Sequence, residues 1–290
     1  MALGSLLLLL SAFLHASWNA LAKSARDKES YLFITMFFSG FLSLASVLVV
    51  FPPEPFSHPE VFWFAVASGV FEGLYLFSLA KTLKSSSLGV SYAIMRGGAM
   101  VVVWLISLSF LGEVATVGEI SGAALVLLGI VAMNAEAFLR VIKKSSVTVH
   151  PSQLLSVWPF LSAVFIAGYH VCYHQALDHG AEPRSLFTLS VFVSLPLVFW
   201  GVATPRIQNT LATLKNETSS VLATSVISTL SFVIFLYGLK ASAPGFAISL
   251  RNSSIFFALV FSFFLKENLS RAQIMGATVI ASGAILLSIS

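Results

Sequence analysis

The second half of this chain repeats the first, and the repeat includes an arginine inside a long apolar run. Arg96 and Arg251 occupy equivalent positions at an offset of 155 residues. Each run closes with Leu-x-Glu, at Glu113 and Glu267. An ionised arginine in hydrocarbon costs about 2.5–3.5 kcal/mol on insertion scales, so it normally faces a bundle interior or a wet cavity. Two equivalent arginines therefore predict one central site built from both halves.

The composition is that of an integral membrane protein. Of the 290 residues, 57% are hydrophobic and 10% are charged, whereas a soluble domain has about 25% charged residues. A helix needs about 20 mainly apolar residues to cross a bilayer, and the sequence contains ten such runs. They lie at 2–22, 31–51, 60–80, 87–111, 115–137, 154–177, 184–203, 219–239, 243–265 and 270–289. We therefore expect an all-α membrane protein with ten transmembrane helices.

The basic residues are distributed unevenly between the connections of these helices. Twelve of the sixteen Lys and Arg residues fall in odd-numbered connections, and only Arg184 and Lys240 fall in even-numbered ones. The other two are the intramembrane arginines. Because Lys and Arg accumulate in cytoplasmic loops, we expect cytoplasmic odd-numbered connections and extracytoplasmic termini. The predicted location is the cell membrane (inner or plasma membrane), crossed several times.

The repeat divides the chain into two halves. Residues 1–138 are predicted to form a first five-helix repeat, 139–153 a polar cytoplasmic connector, and 154–290 a second five-helix repeat. With an odd number of helices per half, the second half enters the membrane from the opposite side, so the repeats are inverted around a central cavity. Secondary transporters use this architecture, with the substrate site near the membrane midplane.

Small residues recur in the last helix of each half. Gly122 and Gly129 correspond to Gly276 and Gly283 at an offset of 154 residues. Glycines allow two helix backbones to approach closely, so we interpret these four as structural. Similar faces also join subunits in related folds, and both a monomer and a homodimer are compatible with the sequence.

Polar and aromatic residues recur in the first helix of each half. The two trios are His15, Trp18 and Asn19, and His170, Tyr173 and His174. A spacing of three and four residues places each trio on one helix face, which suits a cavity lining, although hydrogen bonds between helices would also explain it. Imidazole titrates near neutrality, which makes the histidines candidate proton carriers. No third metal ligand accompanies His170 and His174, so no metal site is predicted.

Several motifs together carry a family resemblance. They are the ten-span repeat, the HASWNAL stretch of the first helix, the arginines of the fourth and ninth helices, and the Leu-x-Glu closes followed by Gly-x6-Gly. In these features the chain resembles the EamA family of the drug/metabolite transporter superfamily. The resemblance implies a ten-helix transporter without a cofactor, generally exporting small metabolites by alternating access. Related sequences often follow the ninth-helix arginine with Glu-Thr-Ser, whereas Asn252-Ser253-Ser254 follows Arg251 here, so that glutamate's role is absent.

The charges within the spans define the candidate substrate site. Glu72 lies in the third helix, where a carboxylate is costly unless it is paired or protonated. Arginine suits a bidentate grip on a carboxylate, sulfonate or phosphonate, and one carboxylate against two arginines leaves a positive charge for an anion to balance. The predicted substrate-binding residues are Arg96, Arg251, Glu72, Trp18, Asn19, Tyr92 and Tyr173. The candidates for proton coupling are Glu72, His15, His170 and His174.

Secondary active transport is the function that these observations favour. We expect export of a small anionic or zwitterionic metabolite (amino-acid-like, carboxylate, sulfonate or phosphonate), with Glu72 either pairing with an arginine until substrate displaces it or carrying a coupling proton. The alternatives are import of sugars or nucleotide-sugars, and a membrane-embedded protein that does not transport, namely an enzyme, scaffold or sensor. We expect no catalysis, cofactor or nucleic-acid partner. The expected partners are a small-molecule substrate and the lipid bilayer.

Overall fold

The structure, a computed structural model, describes residues 2–52, 54–56, 58–110, 114–134, 156–241 and 250–289. These residues form ten α-helices and no β-strand. In chain order the helices are α1 (Ala2–Ser24), α2 (Lys28–Val49), α3 (Pro59–Ser85), α4 (Leu88–Phe110), α5 (Val117–Met133), α6 (Trp158–Asp178), α7 (Pro183–Gly201), α8 (Arg206–Ala241), α9 (Ser254–Phe264) and α10 (Arg271–Ile289). The predicted connector at 139–153 and Glu113 lie outside the described residues.

Each helix overlaps one predicted span, and the start of α8 differs clearly from its predicted position. α8 begins at Arg206, well before the predicted 219–239, and its backbone leaves helical geometry at Glu217 (φ −127°, ψ 23°). Polar residues are frequent before Glu217, so hydropathy alone does not reveal this part of the helix. α5 begins at Val117 because Thr116 and Glu119 form a capping box, in which each side chain accepts from the other's backbone N–H.

Most of the helices are suited to a bilayer. By length and composition, six of them could cross a membrane: α1, α2, α3, α4, α7 and α8. α5 and the segments Leu250–Phe264 and Arg271–Leu287 are apolar but shorter. α6 is less apolar because it carries two histidines, two tyrosines and a glutamine. The chain is therefore a multi-pass membrane protein.

The two halves of the chain interlock instead of forming separate bundles. α3 packs against α6 and α7, and α8 packs in the same way against α1 and α2. α4 packs against α6, and α9 packs against α1. Three further interfaces join equivalent helices: α2 with α7, α4 with α9, and α5 with α10. This arrangement brings side chains of both halves to a shared centre.

The glycines of α5 and α10 contact each other across the halves. A Cβ atom on Gly122 would lie 2.8 Å from the carbonyl oxygen of Gly283, and one on Gly129 would lie 2.7 Å from that of Gly276. The pairs follow in opposite order along the two helices, so α5 and α10 run antiparallel. This close approach is the structural role predicted for the four glycines, and it joins two helices of one chain.

Basic residues gather at one end of the bundle, which we call the basic end. α1, α3 and α9 end there, and α2, α4 and α10 begin there. Its basic residues include Lys23, Arg26, Lys28, Lys81, Lys84, Lys266 and Arg271. The buried carboxylate of Glu29 pairs with Lys81 and Lys84 and so joins α2 to α3.

The Leu-x-Glu motif of the second half closes the basic end. The Glu267 carboxylate oxygens accept hydrogen bonds of 2.9 and 2.8 Å from the backbone N–H of Leu88, the first residue of α4. Glu267 also lies 3.5 Å from the amino group of Lys23, which donates to the carbonyl oxygen of Leu83 at 2.8 Å. A carboxylate is favourable at a helix N-terminus because it satisfies free N–H groups and complements the helix dipole. Glu267 therefore ties the α9–α10 connection to the start of the arginine-bearing helix α4.

A second polar group holds the opposite end of the bundle. Arg184 donates to Glu182 at 2.8 Å and to the carbonyl oxygens of Ser46 and Val50 at 2.8 and 3.0 Å. The hydroxyl of Tyr237 donates to Glu182 at 2.9 Å. These contacts join the end of α2 and the end of α8 to the start of α7.

This group at the opposite end predicts a pH-dependent contribution to stability. Burial by itself would raise the pKa of Glu182. Hydrogen bonds from Arg184, Ser185 and Tyr237 have the larger combined effect and lower the pKa to about 2. Because this lies below the ordinary value of 4.5, the carboxylate stabilises the folded protein above about pH 4.5, and the contribution is lost as the pH falls towards 2. In detergent, we expect wild-type protein to lose up to about 1 kcal/mol more stability than Glu182→Gln across this range. Identical pH profiles in thermal unfolding would contradict the prediction.

Candidate functional site

Side chains from six segments meet in a buried group at the centre of the bundle. We call it the central cluster; it comprises His15, Glu72, Tyr75, Tyr92, Arg96, Tyr169, Tyr173, Phe232 and Arg251. None of these side chains is more than 2% exposed. They come from α1, α3, α4, α6, α8 and the helical turn at 250–252, and Ser190 of α7 contacts them. The cluster is therefore closed to solvent in this structure.

Arg251 is held by contacts with α1 and α8. One terminal nitrogen (Nη1) donates to the hydroxyl of Ser11 and, at 3.3 Å, to the carbonyl oxygen of Ser231. The other (Nη2) donates to Nδ1 of His15 at 2.9 Å. The guanidinium carbon lies 3.9 Å from the ring centre of Phe235, which adds a cation–π contact. Protein groups thus contact both terminal nitrogens of Arg251, whereas its Nε has no partner among the described residues.

Arg96 is buried without equivalent partners. Neither of its terminal nitrogens has a hydrogen-bond partner among the described residues. Its guanidinium carbon lies 5.7 Å from the ring centre of Tyr92, whose hydroxyl interacts with it but forms no hydrogen bond of ordinary geometry in the described part of the chain. Buried polar groups in proteins are normally hydrogen-bonded, and an unsatisfied one costs about 1–3 kcal/mol or more. The two repeat-equivalent arginines therefore have different surroundings.

Glu72 pairs with hydroxyl groups. Its Oε2 accepts from the hydroxyl of Tyr173 at 2.7 Å and from that of Ser190 at 2.8 Å. Its Oε1 is buried without a partner among the described residues. No ion pair with either arginine occurs in the part of the chain that the structure describes. The predicted Glu–Arg pair is therefore replaced, in this structure, by two neutral donors on α6 and α7.

Aromatic rings connect these three charged groups. The His15 ring centre lies 6.1 Å from that of Tyr92 and 5.4 Å from that of Phe232. Phe232 lies 6.5 Å from Tyr169, which in turn lies 5.6 Å from Tyr173, the donor to Glu72. The hydroxyl of Tyr169 has no partner among the residues described. Tyr169 is also within electrostatic range of both arginines and of Glu72, so it occupies a central place in the cluster.

The sequence identifies the family to which this arrangement belongs. The EamA-like transporter family model matches the chain over residues 2–135 and again over 154–289. The chain belongs to the EamA-like transporter family. The resemblance noted from its motifs is thereby confirmed, and the protein is a membrane transporter of that family.

The fold of this EamA-like transporter is shared with a solved structure. A crystal structure of a protein superposes with a TM-score of 0.59 at 16% sequence identity, and the match covers 99% of this chain and 98% of the other. At that identity the likeness shows the fold alone. No curated protein matches the chain.

Three other predicted site residues of the EamA-like transporter, Trp18, Asn19 and His170, contact residues of the central cluster. Trp18 is buried and donates its indole N–H to Nδ1 of His15 at 3.2 Å. Asn19 is buried but donates to the backbone carbonyl of His15 in its own helix at 2.8 Å. His170 packs against Tyr169, with ring centres 4.7 Å apart.

His174 faces away from the central cluster. Its side chain is 34% exposed, and Nδ1 lies 2.8 Å from the carboxylate of Asp178 one turn further along α6. The i, i+4 relation to His170 does not bring the two imidazoles into a common site. Within the described residues, no group of three or more His, Cys, Asp or Glu side chains could hold a metal ion.

Some residues of the site were not identified from the sequence. Tyr75 lies three positions after Glu72, Tyr169 four before Tyr173, and Ser11 four before His15. Residues three or four positions apart lie on the same helix face. Each of these three residues could therefore have been found by searching one helical turn before or after a residue that was predicted. Phe232 offers no such signal, because it lies in a long apolar segment where any aromatic ring could face lipid.

Proposed function

We propose that this EamA-like transporter is a secondary active transporter that exports a small anionic or zwitterionic metabolite by alternating access. The observation that carries the proposal is Arg96, a buried cation at the centre of the bundle whose terminal nitrogens have no acceptor among the described residues. Ionisable groups at such depth are expensive and usually serve a transport pathway. A carboxylate, sulfonate or phosphonate would supply the missing acceptors and the opposite charge.

The proposed architecture is a pair of inverted five-helix repeats. Antiparallel α5 and α10 support it, because equivalent helices of parallel repeats would run in the same direction. The positions of α4 and its equivalent α9 support it too. α4 begins at the basic end, next to the point where α9 ends, so the two helices run in opposite directions. A site shared by two inverted halves is typical of secondary transporters.

The proposed orientation places the basic end in the cytoplasm and both termini outside, in the inner or plasma membrane. It rests on the charge difference between the two ends, which follows the positive-inside tendency. Lys23 and Glu267 join helices at the basic end, and Glu182 and Arg184 join helices at the other. Alternating access requires one set of contacts to open while the other stays closed, and the buried central cluster corresponds to both being closed.

A ligand screen tests the substrate class. Purified protein is heated with succinate, taurine, methylphosphonate, amino acids, sugars and nucleotide-sugars, since a ligand at 100 times its Kd stabilises by about 2.7 kcal/mol. We expect stabilisation by at least one carboxylate, sulfonate, phosphonate or amino acid, and counterflow of that compound in proteoliposomes. Stabilisation by sugars or nucleotide-sugars alone, or binding without counterflow, would contradict the proposal.

Replacing Glu72 tests proton coupling. Glu72→Gln keeps a carbonyl acceptor for Tyr173 and Ser190 but cannot release a proton. We expect it to exchange substrate at near wild-type rates while losing accumulation driven by a pH gradient. Both activities are measured in proteoliposomes, with Glu60→Gln, at the exposed start of the same helix, as the matched control. Unchanged pH-driven accumulation in Glu72→Gln would exclude Glu72 as the proton carrier.

A further inference from the structure

His15 is held by two donors at the same nitrogen. Nδ1 lies 2.9 Å from a terminal nitrogen of Arg251 and 3.2 Å from the indole nitrogen of Trp18. A guanidinium and an indole can only donate hydrogen bonds. Nδ1 must therefore present its lone pair, which places the hydrogen of a neutral imidazole on Nε2. The two neighbours thus select one tautomer of His15.

The Nε2–H group of this tautomer is one of several free donors around Tyr92. Nε2 is buried and has no partner among the described residues, as is true of the Tyr92 hydroxyl and of both terminal nitrogens of Arg96. The imidazole and the guanidinium each lie against the Tyr92 ring, at 6.1 and 5.7 Å from its centre. Arg96 also acts on His15 electrostatically. One positive charge and neutral donors therefore adjoin the same aromatic ring.

Arg251 differs from Arg96 in what it can offer a substrate. Its terminal nitrogens are engaged by Ser11, Ser231 and His15, and its face is covered by Phe235. An end-on bidentate grip through both terminal nitrogens would compete with these contacts, and only Nε of Arg251 has no partner among the described residues. Arg96 can make such a grip while giving up at most a weak contact with the Tyr92 hydroxyl.

We propose that His15 donates its Nε2–H to the oxyanion group of the substrate beside Arg96, and that Arg251 is a positioning residue that holds the required tautomer. This inference rests on the proposed function and assigns its anion site to Arg96, His15 and Tyr92. The ligand group is a carboxylate, sulfonate or phosphonate, since each offers several acceptors for convergent donors. Trp18 shares the positioning role with Arg251.

Two replacements of His15 separate the ring nitrogens. The side-chain amide of His15→Gln reaches the place of Nε2 and can donate there, whereas that of His15→Asn reaches only the place of Nδ1. For succinate, taurine and methylphosphonate, we expect His15→Gln to bind whichever probes the wild type binds within about threefold and His15→Asn to bind them about 10- to 100-fold more weakly. Ser17→Ala, which removes only a hydroxyl bonded within α1, is the control and should bind normally.

Nitrogen-15 NMR of labelled histidine measures the tautomer directly. We expect His15 in the wild type to show protonated Nε2 and unprotonated Nδ1, and its Nε2 resonance to move when a probe binds. Arg251→Gln should shift the ring resonances towards a tautomer mixture, an effect that loss of packing alone does not produce. The resonances of His15 are identified as those that shift in Trp18→Phe, because Trp18 donates to Nδ1 of His15. This assignment does not require a folded His15 variant.

The outcomes distinguish this inference from the proposed function. Probe binding that is lost in Arg96→Ala but unchanged in His15→Asn would overturn the inference and leave the proposed function standing. A protonated Nδ1 in wild-type His15 would overturn it equally. Binding to the wild type of none of the three probes and of none of the amino acids in the ligand screen would overturn the inference and the proposed substrate class together.

Discussion

Replacing Arg96 with alanine is expected to reduce substrate binding and transport by at least about 100-fold while leaving the protein folded. The loss of two charge-assisted hydrogen bonds to an anion corresponds to about 3 kcal/mol or more. Stability should change little, because the terminal nitrogens of Arg96 have no partner among the described residues that the substitution would leave unsatisfied. Proteoliposome uptake and thermal unfolding in detergent measure the two effects separately.

Arg206→Ala is the matched control for the Arg96 variant. It removes the same charge, but Arg206 begins α8 and its guanidinium lies against Trp200, 5.2 Å from a ring centre and away from the central cluster. We expect transport by this variant within about twofold of the wild type, as is usual for substitutions away from a site. Normal transport by a correctly inserted Arg96→Ala protein would remove the main support for the proposed function.

Replacing Gly122 with alanine is expected to destabilise the protein strongly, because the backbones of α5 and α10 are in contact at this position. The new Cβ would lie 2.6 Å from the backbone nitrogen of Leu287 and 2.8 Å from the carbonyl oxygen of Gly283. Since these neighbours are backbone atoms, a change of rotamer cannot relieve the overlap, and α5 must move away from α10. We expect a loss of about 2–3 kcal/mol, seen as a melting temperature about 5–10 °C lower.

Gly4→Ala makes the same chemical change where space is available. A Cβ atom on Gly4, in α1, would have no heavy atom within 4 Å. Because alanine favours helix more than glycine does, this variant should be equally stable or slightly more stable, by up to about 1 kcal/mol. Equal melting temperatures for Gly122→Ala and Gly4→Ala would show that the contact between α5 and α10 is looser than the structure indicates.

Much of the helical pattern could be predicted from the sequence, because long apolar runs in a membrane protein must satisfy their backbone groups internally. The bounds were less predictable where polar interactions define them. The capping box of Thr116 and Glu119 sets the start of α5, and the early part of α8 is too polar to resemble a span. Hydropathy reports neither the hydrogen bonds of a helix cap nor the extension of a helix into polar sequence.

The candidate site was predicted in part for the same reason. Arg96, Arg251 and Glu72 are conspicuous within apolar segments, and the structure places all three in the central cluster. Their partners were not predictable: Glu72 accepts from Tyr173 and Ser190, and Arg251 binds His15. Such pairings depend on how helices distant in sequence rotate and approach, which no local spacing specifies.

The sequence by itself determined that this chain is a multi-pass membrane protein of a transporter family with a duplicated arginine, since apolar length, charge position and repeat offset are local properties. Only the tertiary structure distinguished the two arginines. Arg251 lies where α1 and α8 supply acceptors and an aromatic face, whereas Arg96 lies beside Tyr92 without a described acceptor. Equivalent positions in a repeat acquired different surroundings because the packing neighbours of each half carry different side chains.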